Sequence, residues 1–458
     1  MEGETRRHVS LQSNRRTRAQ VASHCRRQVT QAMTQENHEL PKTAADDDRT
    51  ESKERRRFLR FAGAGAIGAA LSSQAMGQGV AGVRLGPIQA PTEAPDKTPA
   101  PDHEDQRVGF AIVGLGHLSL NQILPAFGRS KSAKPVALVS GNRAKAFEVA
   151  REYGIASSAI YDYSDFEKLE SNNQVQAVYI VLPNSMHAEF TVRAAKMKKH
   201  VLCEKPMATS VADCERMIAA CRDAQRLLMI AYRSQYEPLD RTALKMARSG
   251  DLGKLRQFVA SNVQNQGDPS QWRLKKAMAG GGALVDVGIY CLNAARFLSG
   301  EEPSSVLATM VQPKDDPRFT EVEESISFLL NFPSGLTAVC TSGYGSHSSK
   351  YFRLQGSDAW VGMDPAFEYG GLRLMEGTLK AGRETTTEIH FDTADQFALE
   401  MDHFAHCVKN NVVPHTPGEE GLQDQKIVEA IYASAASGRR VTLAPALVPR
   451  GPEITEMI

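Results

Sequence analysis

Gly114-Leu115-Gly116 follows a short apolar run, Val108–Val113, and precedes apolar residues at helical spacing, Leu120, Ile123, Leu124 and Phe127. Strand, glycine turn and helix is the arrangement that binds a dinucleotide pyrophosphate. Gly114 permits the tight turn, and Gly116 lets the backbone approach the phosphates at the helix N-terminus. Ser119 stands where the third glycine of that pattern falls. Further on, Ser140-Gly141-Asn142-Arg143-Ala144-Lys145 follows the apolar run 135–139. An NAD enzyme places a carboxylate there, on the ribose 2′-hydroxyl. This segment has a hydroxyl and two cations and no carboxylate, which favours the 2′-phosphate of NADP. Three more polar groups follow apolar runs: Leu182-Pro183-Asn184 with His187, Glu204-Lys205-Pro206, and Tyr232-Arg233.

These groups need elements to hold them. Helical spacing covers 143–153, 187–197 and 211–224, and buried-strand runs cover 177–181, 201–203 and 227–231. The alternation predicts an α/β half with a doubly wound parallel Rossmann sheet. In such sheets ligands sit beyond the C-terminal strand ends, where all the polar groups above fall. From residue 236, alternating segments such as 325–332 and 336–340 predict antiparallel strands. A helix over 424–437 repeats Ile427, Ala430, Ile431 and Ala435 and is predicted to end at Gly438.

The 458 residues are 41% hydrophobic and 23% charged, which excludes whole-chain disorder and leaves ample chain for two domains. A net charge of +1 argues against a nucleic-acid binder. The balance is uneven: residues 1–60 carry 14 Lys/Arg and 9 Asp/Glu, leaving 40 against 44 elsewhere. Residues 1–75 read as an N-terminal extension, polar up to residue 50, with Met33 as an alternative initiator. Arg55-Arg56-Arg57-Phe58-Leu59-Arg60 precedes an uncharged Ala/Gly-rich stretch, 61–83, too rich in glycine for a membrane span. With Ser73-Gln74-Ala75 as a small-residue cleavage pattern, this resembles a twin-arginine export signal, which implies a periplasmic protein that folds before export. Residues 76–106 form a proline-rich arm, with prolines at 87, 91, 95, 99 and 101. Seven cysteines without a CxxC read as buried thiols, and no metal site is expected.

The glycine turn, Leu182-Pro183-Asn184-Ser185-Met186-His187, Cys203-Glu204-Lys205-Pro206 and Asp286-Val287-Gly288-Ile289-Tyr290 together resemble the glucose–fructose oxidoreductase, inositol dehydrogenase and MocA family. The resemblance covers about residues 107–443 and is strongest to the glucose–fructose branch. Asn121-Gln122-Ile123-Leu124-Pro125, the stretch 207–214, Ser140-Gly141-Asn142, Gln271-Trp272-Arg273-Leu274, Pro417-Gly418-Glu419-Glu420-Gly421, the export signal and the arm carry it. Tyr290 marks that branch, since most of the family has His there. Ser119, His117 and Leu118 depart from the branch, where a small Ala, a Lys and an aromatic are expected.

The resemblance implies an NADP-binding Rossmann domain over 107–235. It implies a second α+β domain over 236–443 with a large open, mostly antiparallel sheet, followed by a tail over 444–458. It also implies a homotetramer, with the arm covering a neighbouring subunit's cofactor. The implied chemistry is sugar oxidation: glucose to gluconolactone, coupled to fructose reduced to sorbitol on one tightly bound NADP. Removing the hydroxyl proton needs a base and a positive neighbour. Tyr290 is expected to accept that proton, with Lys205, held by Glu204, stabilising the phenolate and binding the hydroxyl. Asp286, four residues before Tyr290, is expected to face the same pocket and hold sugar hydroxyls. The expected cofactor contacts are Gly114, Gly116, His117, Leu118, Ser140, Asn142, Lys145, Leu182, Asn184, His187, Glu204 and Lys205. Arg233, Trp272 and Arg273 are candidates for both the cofactor and the sugar side, and Tyr236 for the sugar. Alternatives are an exported NAD(P)-dependent dehydrogenase of another sugar, an NAD-dependent glycosidase, and a non-catalytic sensor, which would usually lack Lys205.

Overall fold

The computed structural model describes residues 106–391 and 394–446. The extension, the export signal, all but the last residue of the arm and most of the tail lie outside the described residues.

Six strands form a parallel sheet: β1 (Val108–Val113), β2 (Ala133–Val139), β3 (Ile160–Tyr161), β4 (Ala177–Ile180), β5 (His200–Glu204) and β6 (Leu228–Ala231). Their order is β3-β2-β1-β4-β5-β6. The order reverses between β1 and β4, so a crevice opens beyond their C-terminal ends. Helices α1 (119–126), α2 (Arg143–Glu152), α3 (His187–Lys196) and α4 (Val211–Asp223) connect the strands. All residues of β1 and β4 are buried, which is why these strands read as continuous apolar runs.

The second sheet has nine strands: β7 (Gln257–Asn265), β8 (Ser305–Val311), β9 (Ser325–Asn331), β10 (Thr337–Gly343), β11 (Gly345–Gln355), β12 (Ala359–Met363), β13 (Leu374–Lys380), β14 (Arg383–Ile389) and β15 (Val441–Thr442). Their order is β14-β13-β12-β11-β7-β10-β9-β8-β15, antiparallel except where β7 meets β10. The open, mostly antiparallel sheet expected from the resemblance is present. Helices α5 (Pro238–Ser249) and α6 (Ile289–Ser299) contribute side chains to its core. On the opposite face, register aligns Leu307, Leu329, Val339 and Val259 across four strands. Leu307 and Val339 of this row are exposed.

The last two long helices tie the sheets together. Helix α7 (Gln396–Asn410) returns to the first sheet, and Phe397, Met401 and Phe404 join its core. Helix α8 (Gly418–Ser437) starts earlier than the predicted residue 424. Glu419 and Glu420 in its first turn suit the positive helix N-terminus. Gly418 packs so closely that a Cβ would lie 2.8 Å from Ile218 Cγ1. The helix ends at Gly438, φ +65°, as predicted. The fully buried Arg296 of α6 joins it to Glu420, Asp424 and Glu302. The six described cysteines are all buried and free.

Candidate active site

One cleft of about 540 Å³ runs along the C-terminal ends of the parallel strands. At its cofactor end lies the glycine turn. Gly114 has φ +99°, and a Cβ there would sit 2.3 Å from Val181 O, so β1 and β4 close on each other only through glycine. A Cβ on Gly116 would meet nothing within 4 Å. That space beside a helix N-terminus is the cradle a pyrophosphate needs. Ser119 does not enter it: the side chain is fully buried and Oγ donates to Gly114 O at 2.6 Å, fastening the turn from behind. His117 and Leu118 line the cleft, and His117 meets the Asn121 amide at 2.8 Å.

The segment after β2 forms the next wall. Ser140 Oγ accepts from Asn142 N at 3.2 Å, and Asn142 Oδ1 caps α2 by accepting from Lys145 N at 3.0 Å. Lys145 Nζ reaches back to Leu115 O at 2.7 Å, so its charge stands between this segment and the glycine turn. Arg143 is not among the lining residues; it lies over the Phe147 ring, 5.3 Å from the centroid. Hydroxyl, amide and ammonium beside an open glycine cradle, with no carboxylate in that wall, fit a dinucleotide carrying a 2′-phosphate.

At the other end the cleft brings together Glu204, Lys205, Arg233, Trp272, Arg273, Asp286 and Tyr290. Asp286 lies in a π-helical turn, Leu284–Gly288, that leads into α6, and Tyr290 sits in the first turn of α6. The two share the pocket, as their spacing predicted. Lys205 Nζ donates to Asp286 O at 2.7 Å and lies 3.5 Å from its Oδ1. The partner that holds Lys205 is thus Asp286; the Glu204 carboxyl accepts instead from Tyr179 Oη at 2.9 Å below the cleft. Burial raises the pKa of Glu204. Burial alone would raise that of Asp286 too, but Arg273, Lys205 and a hydrogen bond from Tyr344 outweigh it and hold it at about 2. Arg273 Nε and Tyr344 Oη both reach Asp286 Oδ2, at 3.0 and 2.6 Å. Asp286 is therefore an anion held by two hydrogen-bond donors and by the Lys205 ion pair. Trp272 lies beneath the Arg273 guanidinium, 4.7 Å from its carbon.

Two expected contacts are corrected. Tyr236 does not reach the cleft: it is buried under β6, with Oη hydrogen-bonded to Thr416 Oγ1 at 2.8 Å and the ring against His403. His187 is fully buried as well. Its ring nitrogens lie 2.9 Å from the carbonyls of Leu182 and Pro206, so it braces two strand-end loops rather than touching a ligand. Asn184 lines the cleft, but its amide donates to Ala279 O at 2.8 Å. Tyr163, Gln271, Tyr369 and Phe397 were missed and also line the cleft. Gln271 belongs to the Gln271-Trp272-Arg273-Leu274 stretch and was within reach there. Tyr369 and Phe397 come from segments with no motif, delivered only by the tertiary fold. Among the described residues, no group of three His, Cys, Asp or Glu could hold a metal ion.

A parallel sheet with its glycine cradle, leading to a lysine and a tyrosine in one cleft, defines a dinucleotide-dependent oxidoreductase. Residues 108–232 match the oxidoreductase family with an NAD-binding Rossmann fold, and 241–361 match the GFO/IDH/MocA C-terminal domain. The chain belongs to this Gfo/Idh/MocA oxidoreductase family. It is 44% identical to an aldose–aldose oxidoreductase from Caulobacter crescentus, solved with glycerol, at a TM-score of 0.71 over 74% of this chain and all of that one. It is 34% identical to the NADP-dependent D-xylose 1-dehydrogenase of Haloarcula marismortui, over 74% of this chain and 94% of the relative. A 3-ketoreductase from Actinomadura kijaniata, solved with TDP-benzene and NADP, is 26% identical at a TM-score of 0.64, over 72% of this chain and 98% of that one.

Proposed function

We propose that this chain is an NADP-dependent sugar oxidoreductase that oxidises one sugar and reduces another on a single retained cofactor. The observation that carries the reading is the continuous cleft joining the Gly116 cradle and Lys145 to Lys205, Asp286 and Tyr290. Bound NADP would supply the hydride acceptor and, once reduced, the donor. Gly114, Gly116, His117, Ser140, Asn142 and Lys145 would hold it.

The chain's own residues do the rest. Lys205 binds the reacting hydroxyl of the sugar, and Asp286 keeps Lys205 and Arg273 in place while offering an oxygen to a sugar hydroxyl. Tyr290 Oη takes the hydroxyl proton as the C–H bond breaks, and returns it to the carbonyl oxygen of the second sugar. Glucose is the proposed donor, giving gluconolactone, and fructose the acceptor, giving sorbitol. The likeness to an aldose–aldose oxidoreductase favours a second reading, in which the acceptor is itself an aldose. The likeness to a xylose dehydrogenase supports a third, with dissociable NADP.

The protein is proposed to be exported folded through the twin-arginine pathway to the periplasm, where retained NADP would be regenerated in place. Arg55-Arg56 and the uncharged stretch after them support this, as do the six free, buried thiols among the described residues. A homotetramer is proposed, supported by the apolar row on the nine-stranded sheet, of which Leu307 and Val339 are exposed.

The test starts from protein dialysed without cofactor. Glucose should raise the near-ultraviolet absorbance of NADPH, and fructose or a second aldose should lower it. The acceptor that lowers it separates the first two readings. Oxidation that occurs only with added NADP supports the third.

A further inference from the structure

We infer that Arg233 is a positioning residue for proton transfer at Tyr290 rather than a contact of the cofactor. This rests on Tyr290 being the proton-transfer group. Arg233 is nearly fully buried, and its Nε donates to Tyr290 Oη at 3.2 Å. Its guanidinium carbon lies 4.8 Å from the Tyr290 ring centroid, 4.6 Å from that of Tyr369 and 5.7 Å from that of Phe397. Nη2 donates to Phe367 O at 2.7 Å; Nη1 donates to Glu368 O at 3.1 Å and to Gln396 Oε1. Gln396 in turn donates to the carbonyls of Glu368 and Tyr369, at 3.1 and 2.9 Å. Phe367 holds φ +60°, a left-handed conformation that a bulky residue seldom adopts, while presenting its carbonyl to Arg233. Four of the five guanidinium N–H groups are thus aimed by fixed protein acceptors.

Arginine keeps its charge and can only donate. It therefore occupies one lone pair of Tyr290 Oη and leaves the phenol's own proton no acceptor on the Arg233 side. That proton is directed elsewhere, toward the cleft where the sugar hydroxyl binds. Once the proton has moved, the phenolate faces a fixed cation that does not have to reorganise. Lys205 cannot take this place, because it is hydrogen-bonded to Asp286 O and lies over the ring. The other ionisable groups that share a cavity wall near Tyr290 are Glu204 at the end of β5, Tyr232 after β6, Arg273 and Asp286 before α6, Tyr369 in the loop after β12 and Asp240 of α5. Of the groups around Tyr290, Arg233 alone has a donor aimed at Oη among the described hydrogen bonds.

The test compares Arg233→Gln and Arg233→Lys with Tyr290→Phe in the full-length holoprotein, reading bound NADP and the pH profile of single-turnover sugar oxidation. Arg233→Gln should keep its NADP and oxidise sugar ~10²–10³-fold more slowly. The acidic limb of its profile should move up by about one to two pH units. Arg233→Lys keeps a cation and should recover part of that shift, and it serves if the Gln variant does not fold. Adding Arg233→Gln to Tyr290→Phe should slow the reaction no further, because Arg233 acts through Oη. An unmoved pH profile with proportional loss of NADP would make Arg233 a cofactor contact and overturn the inference. Full turnover in Tyr290→Phe would instead remove the reading on which it rests.

Discussion

The ammonium of Lys205 lies 4.5 Å from the ring centroid of Tyr290, over the face of the ring. It donates to the carbonyl of Asp286, not to the tyrosine oxygen. In the proposed reaction the two residues would divide the work: Lys205 would offer its remaining N–H groups to a substrate hydroxyl, and Tyr290 Oη would exchange the proton.

Tyr290→Phe removes the proposed proton acceptor and keeps the ring beside Phe367. Sugar oxidation should slow by ~10²–10⁴-fold with bound NADP unchanged. Stopped-flow absorbance with extraction of the cofactor checks both halves. Tyr236→Phe is the control, since its hydroxyl bonds Thr416 away from the cleft. It should cost about 1 kcal/mol of stability and leave turnover alone.

Lys145 Nζ donates to Leu115 O of the glycine turn at 2.7 Å. Lys145→Ala should weaken NADP by about 10–100-fold, the worth of one charge-assisted hydrogen bond to phosphate, and change NAD affinity little. Calorimetric titration of the stripped protein with each nucleotide measures the ratio.

Asp286 makes acid stability predictable. Its pKa is depressed, from 3.8 to about 2. The contribution, about 2 kcal/mol, is therefore complete above the ordinary carboxylate range and fades as pH falls toward about 2. Denaturant unfolding of wild type and Asp286→Asn should show a stability gap that is constant near neutrality and narrows below about pH 4.

Arg296 is the cation of a buried cluster with Glu302, Glu420 and Asp424. Arg296→Met should destabilise by ~3–5 kcal/mol, because buried carboxylates lose their counter-charge. Burial already raises the pKa of Asp424 to about 6. A raised carboxyl binds its proton more readily in the folded state, so the penalty should be smaller at pH 5 than at pH 8. Thermal unfolding at the two pH values tests the sign.

Much of this site was legible in the chain. Fully buried parallel strands read as apolar runs, and strand-end polarity located the glycine turn, the Ser140 segment, Lys205 and Arg233 in one cleft. The spacing of Asp286 and Tyr290 placed both in one pocket even though a π-helical turn, not a regular α-turn, connects them. Direction was not legible. Tyr236 and His187 are polar residues beside strand ends, like their neighbours, yet packing turns them into the core. Nor could periodicity show that α7 crosses back to the first sheet, bringing Phe397 and Gln396 to Arg233, or that the strained turn at Phe367 supplies Tyr369. Those contacts span more than a hundred residues and follow only from how the sheets meet.

The central claim is that hydride passes from one sugar to another without leaving the protein. Glucose deuterated at C1, mixed with fructose and enzyme but no added nucleotide, tests it directly. The account predicts sorbitol carrying deuterium at C2 over many turnovers per enzyme. Unlabelled sorbitol, or label transfer only after free NADP is supplied, would contradict it.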